Sequence, residues 1–513
     1  MMTNRSDSIR LRTTAHPLLY EVNTRLLVNE LSAAAGRKIT LATIPDKVLD
    51  EWTDLGFDAV WLMGVWGTGN RGLEIARTFP ALQEEYRKTL PDCGPADVIG
   101  SPYAVKSYTV SRALGGNQAL VALRRRLEKR GLGLVLDFIC NHTARDHPWV
   151  ARNPEYYVNG TDGDEQQHPD LYFRTATVGG QKILAFGRDP TFPGWTDTAQ
   201  LNHLHPELRV RMLETLLKIA GLCDGVRCDM AMLILRSVFE RTWGDRAKPA
   251  DTSPAEGEFW QVAIDATKAR YPEFLFLAES YWDMEWQLQE LGFDYTYDKR
   301  LYDRLLREGA SSVYDHLCAD EGFQRKSIRF IENHDELRAA HSLPSPLWNC
   351  AAATIMSTVP GMALFHEGQI QGRMIRVPVQ LGRRPVENES SLLDGFYRRL
   401  LQCLNSSVFR LGGWTLLSAK AAWHENSTWR NFLAFWWDGG LDGCRLVVVN
   451  YAPHNSQSYV VVPFKGSGGG SVELRDLLGP SVYYREHSVL TTKGMFFDLS
   501  PYVVHIFEVK PAK

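Results

Sequence analysis

The sequence predicts an α/β fold: a (β/α)8 TIM barrel of eight parallel strands, with a small domain inserted after strand 3 and an antiparallel β-sandwich at the C-terminus. Three observations carry this: short apolar runs that end in acids, helix patterns between them, and a change of texture near residue 412. The runs Leu132–Leu136, Val226, Phe274–Leu277 and Phe330–Ile331 are short and partly β-branched, as strands buried on both faces must be. Each leads to an acid: Asp137 in DFICNH, Asp229 in GVRCD, Glu279 in FLAES and Asp335 in IENHD. In a parallel barrel the carboxyl ends of different strands share one rim, so acids 92, 50 and 56 positions apart can meet there.

The elements follow in order. Leu18–Val22 and Ala59–Leu62 read as the first two strands, and Asp137, Arg227, Glu279 and Asp335 mark the ends of the third, fourth, fifth and seventh. Phe293–Tyr295 and Met362–Phe365 supply the sixth and eighth. Gln118–Arg130 carries Leu120, Val121, Leu123 and Leu127 at helical spacing and stops at Gly131; Glu207–Ala220 repeats the pattern before Gly221. Between Thr143 and Gln200 the helix pattern lapses into a polar stretch rich in Gly, Pro and Asp, which reads as a lid or inserted domain. Beyond Gly412, runs such as Phe432–Trp437, Arg445–Tyr451 and Tyr459–Val462, with the loop GSGGGS at Gly466–Ser471, read as a separate antiparallel β domain. The expected organisation is barrel 1–142, insert 143–200, barrel 201–411 and sandwich 412–513.

Composition narrows the function classes. With 513 residues, 44% apolar and 23% charged, the chain is long enough for a barrel of about 250 to 400 residues plus attachments. A net charge of −3 gives no general attraction to nucleic acid or anionic lipid. Met1–Arg12 lacks the apolar core of a signal peptide, and the apolar stretch Ala351–Phe365 is broken by polar residues, Pro360 and Gly361, so a soluble cytoplasmic protein without membrane partners is expected. The eight cysteines are scattered without zinc-site spacing, and Cys140 and Cys228 read as small buried hydrophobes; no cofactor is expected. Gly67–Gly72 (GTGNRG) fits GxGxxG, but the next acids, Glu84 and Glu85, lie in a helix-like stretch, not at a strand end. A flexible loop explains these glycines better than a dinucleotide site.

The ordered segments resemble the α-amylase superfamily of retaining α-glycosidases and α-glucan transferases. The resemblance spans nearly the whole chain: Asp137 to His142 is similar to the family's DxxxNH segment, Gly225 to Asp229 to GxRxD, Ala278–Glu279 to its glutamate segment, and Asn333 to Asp335 to NHD. GFDAVWL at Gly56–Leu62 and SPYAV at Ser101–Val105 are similar to its second-strand segment and to the loop bringing a tyrosine to the sugar. The resemblance implies Asp229 as nucleophile, Glu279 as acid and then base, and Asp335 as the acid that binds sugar hydroxyls, with His142 and His334 donating alongside. Retention needs a carboxylate on one face of the sugar and a protonated carboxyl at the leaving oxygen. Arg227, two residues from Asp229, would point to the same side and hold it ionised. Tyr103 would stack under the sugar, and Trp282 would line the site or else belong to the core. A lone Arg–x–Asp is otherwise a structural ion pair, and Asn141 otherwise a cap.

Departures bear on specificity. Met232 and Leu233 stand where many members carry Lys–His, Gln200 replaces the usual acid of the insert's motif, Asn202 stands where a calcium-binding acid often is, Ser107 replaces a frequent Asp and Leu337 a frequent Pro. A neutral Asn141/Asn202 pair would hold Ca²⁺ weakly at best. The expected activity is hydrolysis of α-glucans or short α-glucosides, with transfer to another sugar as the alternative. A non-catalytic sugar-binding protein is disfavoured because all three acids are present.

Overall fold

The computed structural model describes residues 11, 13–249, 251–466 and 470–512. The opening stretch Met1–Arg12, apart from Leu11, and the middle of the glycine-rich loop at 466–471 lie outside them. Eight parallel strands close a barrel: β1 (Leu18–Asn23), β2 (Ala59–Met63), β3 (Gly133–Ile139), β4 (Gly225–Asp229), β5 (Leu275–Ala278), β6 (Tyr295–Tyr297), β7 (Ser327–Arg329) and β8 (Met362–His366), each paired with its neighbours in sequence and β8 with β1. Every residue of β1, β2, β3, β4 and β8 is buried, which explains their near-continuous apolar runs. The strand period of two then divides them. Leu19, Trp61, Val135, Leu277, Tyr297 and Leu364 fill the interior, while Tyr20, Val60, Leu134, Val226 and Phe276 face the surrounding helices. On β4 that alternation sends Val226 and Cys228 toward the helices, leaving Arg227 and Asp229 to the interior.

Two strands depart from expectation. The ladder of β7 is Ser327–Arg329, upstream of the apolar pair Phe330–Ile331, which is buried but lies on the exit from the sheet. Apolarity reports burial, and here the exit is buried too. Likewise β6 starts at Tyr295, because Phe293 is used in packing against Trp260 at 4.9 Å. The helices over Gly116–Glu128 and Pro206–Ala220 lie within two residues of the predicted spans.

The excursion after β3 is closed at its base by His142–Ala144 pairing antiparallel with Thr198–Gln200, and it carries the hairpin Tyr172–Thr177/Gly180–Ala185. The C-terminal strands are β9 (Gly413–Leu417), β10 (Ala419–Lys420), β11 (Phe432–Asp438), β12 (Cys444–Asn450), β13 (Ser456–Val460), β14 (Ser471–Asp476), β15 (Val482–Glu486), β16 (Met495–Leu499) and β17 (Val504–Pro511). They form a six-stranded sheet, β9-β11-β12-β17-β14-β15, over a three-stranded one, β10-β13-β16. This sandwich is less separate than the sequence suggests: Ala434, Trp436, Leu446 and Val448 face the core between the sheets, whereas Leu433, Phe435, Trp437, Val447 and Val449 join the core of the barrel helices. No helix of the described residues is long and apolar enough to cross a membrane.

The GTGNRG segment is not a flexible loop. Trp66–Thr68 is a short strand, Asn70–Thr78 a helix, and the glycines permit close packing: a Cβ on Gly69 would lie 2.8 Å from Ala144 Cβ and 2.0 Å from Asp146 Oδ1, and one on Gly72 would lie 3.3 Å from Ala104 Cβ.

Candidate active site

The acids gather at the carboxyl ends of the barrel strands around a cavity of about 540 Å³. Asp229 is the last residue of β4, and Glu279 follows β5 directly; Asp335 lies on the loop six positions beyond the end of β7. All three line the cavity, with Tyr103 and His142.

Arg227 organises the floor. Its Nη1 donates to Asp229 Oδ1 at 2.6 Å and its Nη2 pairs with Glu279 Oε2 at 2.8 Å, so one guanidinium holds both carboxyls. Glu279 Oε2 also accepts from Met230 N at 2.6 Å, and Tyr281 Oη donates to Oε1 at 3.0 Å. Met230 is left-handed (φ 45°), a strained conformation for a side-chain-bearing residue that turns its N–H toward Glu279. Burial pushes the Glu279 carboxyl up to about 7; Arg227 and the Met230 N–H oppose that rise, while Asp229 and Asp335 add to it. The group is therefore poised between acid and base near neutrality.

A second network anchors Asp335. His334 Nδ1 lies 2.5 Å from Glu21 Oε1, and its Nε2 lies 3.0 Å from Asp335 Oδ2 and 2.6 Å from Tyr103 Oη. Burial alone would discharge His334, yet Asp335 and Glu21 outweigh it and hold it as an imidazolium donating from both nitrogens. Asp335 is 48% exposed, open to the cavity but otherwise surrounded by protein. Burial opposes its ionisation, and the His334 charge and hydrogen bond bring it down to about 2. The Tyr103 ring stacks on His334 at 5.4 Å, with the Arg227 guanidinium 5.5 Å from its centre. His142, kept neutral by burial, meets the edge of Trp195 at 5.2 Å.

Other predicted residues sit elsewhere. Trp282 is on the loop after Glu279, left-handed (φ 61°) and 38% exposed, and does not line the cavity. Asp137 is inside β3, two residues before its end, where it accepts from Trp61 Nε1 and Gly64 N; it serves the fold. Asn141 caps no helix: its amide and that of Gln200 bond each other at 3.2 and 2.9 Å, and Asn202 accepts from Leu204 N. Met232 and Leu233 are buried in the turn Ala231–Ile234. Cys140 and Cys228 are fully buried, and burial drives their thiols well up, which disfavours the thiolate form.

Sequence reasoning missed Glu21, Tyr281, Trp195 and Asp197. Glu21 carried the signal used elsewhere, an acid in an apolar run at a strand end. The others sit in irregular segments and carried none.

The Alpha amylase, catalytic domain family matches residues 40–380, about two thirds of the chain. The chain belongs to that family. It is 24% identical over 368 residues to Alpha-amylase MalA of Haloarcula japonica, covering 69% of this chain and 44% of that one. It is 26% identical over 327 residues to the Alpha-1,4-glucan:maltose-1-phosphate maltosyltransferase of Rhodospirillum rubrum, covering 61% and 39%. It thus spans less than half the length of these relatives. Among solved structures, an alpha-amylase from Lactobacillus plantarum matches with TM-score 0.62 and 20% identity, covering 97% of this chain and 99% of that one. The noncanonic maltogenic alpha-amylase AmyB from Thermotoga neapolitana matches with TM-score 0.65 and 17% identity, covering 98% and 100%. At such identities the structures attest the fold, and the family match attests membership of the family.

Proposed function

We propose that this protein is a retaining α-glycoside hydrolase acting on short, neutral α-glucosides through a glycosyl-aspartate intermediate. The observation that carries the reading is the Arg227 bridge, which sets a carboxylate nucleophile beside a carboxyl raised to about 7. Asp229 attacks the anomeric carbon as Glu279 gives its proton to the leaving oxygen; the glycosidic C–O bond breaks and a glycosyl ester on Asp229 forms. Water then loses a proton to Glu279 and attacks the same carbon, which returns Asp229 as carboxylate and releases the sugar with its configuration kept. Asp335, ionised and anchored by His334, accepts from sugar hydroxyls and stabilises the developing cation.

Transfer from a glycosyl phosphate is the second reading, suggested by the maltosyltransferases among the relatives. The cavity wall disfavours it. Asp197, Asp229, Glu279 and Asp335 line the cavity, and the cations beneath them, Arg227 and His334, are already paired with those carboxylates, so a phosphate dianion would meet mainly negative charge. The apolar, buried Met232 and Leu233 further withhold polar contacts from a long leaving group, which favours short substrates over starch.

Incubating Glu279→Gln with α-glucosyl fluoride, whose leaving group needs no proton, and digesting for mass spectrometry tests the mechanism. A hexosyl adduct on the peptide containing Asp229 is expected. An adduct elsewhere, or β-glucose as first product of the wild type by NMR, would overturn the assignment.

A further inference from the structure

The cavity has two chemically different ends. Glu279 and Met230 follow β5 and β4, and because the proton donor must face the leaving oxygen, that end receives the leaving group. The opposite end is walled by segments following β2 and β8, with Ile75, Phe79 and Leu82 on one side and Val379 on the other. Trp195 and Asp197 of the insert complete it.

Asp197 is the one charged residue in this apolar wall. Burial pushes its carboxyl up to about 6, opposed by a hydrogen bond from its own backbone N–H and by the charge of Arg145 acting through space; among the described residues no other side chain bonds it. The helix Asn70–Thr78 braces it, since a Cβ on Gly72 would lie 3.5 Å from Asp197 Cβ. Close by, the Tyr86 hydroxyl feels the charge of Asp197 and is buried without a hydrogen-bond partner. A partly buried carboxylate that lines the cavity and is held only by its own backbone N–H keeps acceptor capacity that the hydroxyls of a ligand can fill.

We infer that Asp197 is a specificity-determining residue of the glycon end: it accepts hydrogen bonds from neighbouring hydroxyls of the sugar next to the cleaved one and turns away sugars carrying an anion there. The inference rests on the retaining-glycosidase reading. Vicinal hydroxyls present two donors to the two carboxylate oxygens, Trp195 offers an apolar face to the ring, and an anion in the same pocket is repelled.

The test compares 4-nitrophenyl α-maltoside, the same maltoside with its non-reducing glucose oxidised to the uronate, and α-glucosyl fluoride, which leaves the outer position empty. Asp197→Asn is expected to lower kcat/KM on the maltoside by at least about tenfold while changing that on the fluoride by less than about twofold. The wild type is expected to use the uronate at least about tenfold less well than the neutral maltoside, a gap that narrows in Asp197→Asn. Equal losses on maltoside and fluoride, or none on the maltoside, would sink the inference. If Asp197→Asn does not fold, the wild-type comparison decides: equal use of uronate and neutral maltoside overturns the proposal. A wild type that turns over none of the three removes the glycosidase reading instead.

Discussion

Glu279 is the residue whose environment most controls the chemistry. It must be protonated when the bond breaks, so kcat/KM is expected to fall as pH rises past about 7, with a limb absent from Glu279→Gln acting on α-glucosyl fluoride. The same group bears on stability. Its folded pKa is raised above the unfolded value of 4.5, so the stability it contributes is fully present below 4.5 and is lost as pH rises through about 7, a loss of about 3 kcal/mol. Glu279→Gln cannot ionise, so its melting temperature relative to wild type is expected to climb by a few degrees between pH 5 and pH 8. A constant difference across that range, read by differential scanning fluorimetry, would mean that the carboxyl is not raised. At this scale the sequence was informative where chemistry and strand ends coincide: Asp229 and Glu279 could be read because a buried strand must surrender its polar residues at its rim. Tyr281 and the left-handed Met230 could not, because a hydroxyl aimed at a carboxylate and a strained backbone leave no periodic trace.

Elements place these residues, and the corner after β2 shows how a pattern can be read correctly in composition and wrongly in meaning. GTGNRG has the glycine spacing of a phosphate-binding turn, and even the strand and helix around it, yet its glycines serve contact with the insert and with Ala104. Backbone approach is what glycine provides, and sequence does not say to what. Gly69 has an ordinary φ of −78°, so Gly69→Ala tests sterics alone. Its new Cβ would press on Ala144, which the pairing of His142–Ala144 with Thr198–Gln200 holds in place, and overpacking there is expected to cost about 1–3 kcal/mol. Gly179→Ala, where a Cβ meets nothing within 4 Å, is expected to stay within about 0.5 kcal/mol of wild type. Urea unfolding of both variants checks this: equal midpoints would show that the corner yields, and the insert with it. The short strands β6 and β7 were displaced in the sequence reading for a related reason, since Phe293 and Phe330 are as buried as any strand residue although they lie outside the ladders.

For the whole molecule, the decisive feature is that barrel and sandwich share a core. The helix Pro346–Ser357 is apolar nearly all round and buried from Asn349 to Ser357, so it needs cover on more than one side. On strands β11 and β12 one set of alternate residues, Leu433, Phe435, Trp437, Val447 and Val449, joins that core while the other fills the sandwich. Hydrogen bonds cross as well: Trp437 Nε1 donates to Thr358 O at 2.9 Å, Trp348 Nε1 to Tyr451 Oη at 2.9 Å, and Tyr451 Oη to Leu305 O at 2.5 Å. Alternation along β11 was invisible in FLAFWWD because both faces are buried, so the sequence suggested a separate unit where the structure has a joint one. Calorimetry is therefore expected to show one unfolding transition, with activity lost across it. Trp437→Ala empties a fully buried ring position at the joint, which is expected to cost about 3–5 kcal/mol and lower that single transition by about 5–15 °C. Two resolved transitions, or a soluble and active chain ending at residue 412, would show that the barrel stands without its sandwich and that the shared core contributes packing but not cooperativity.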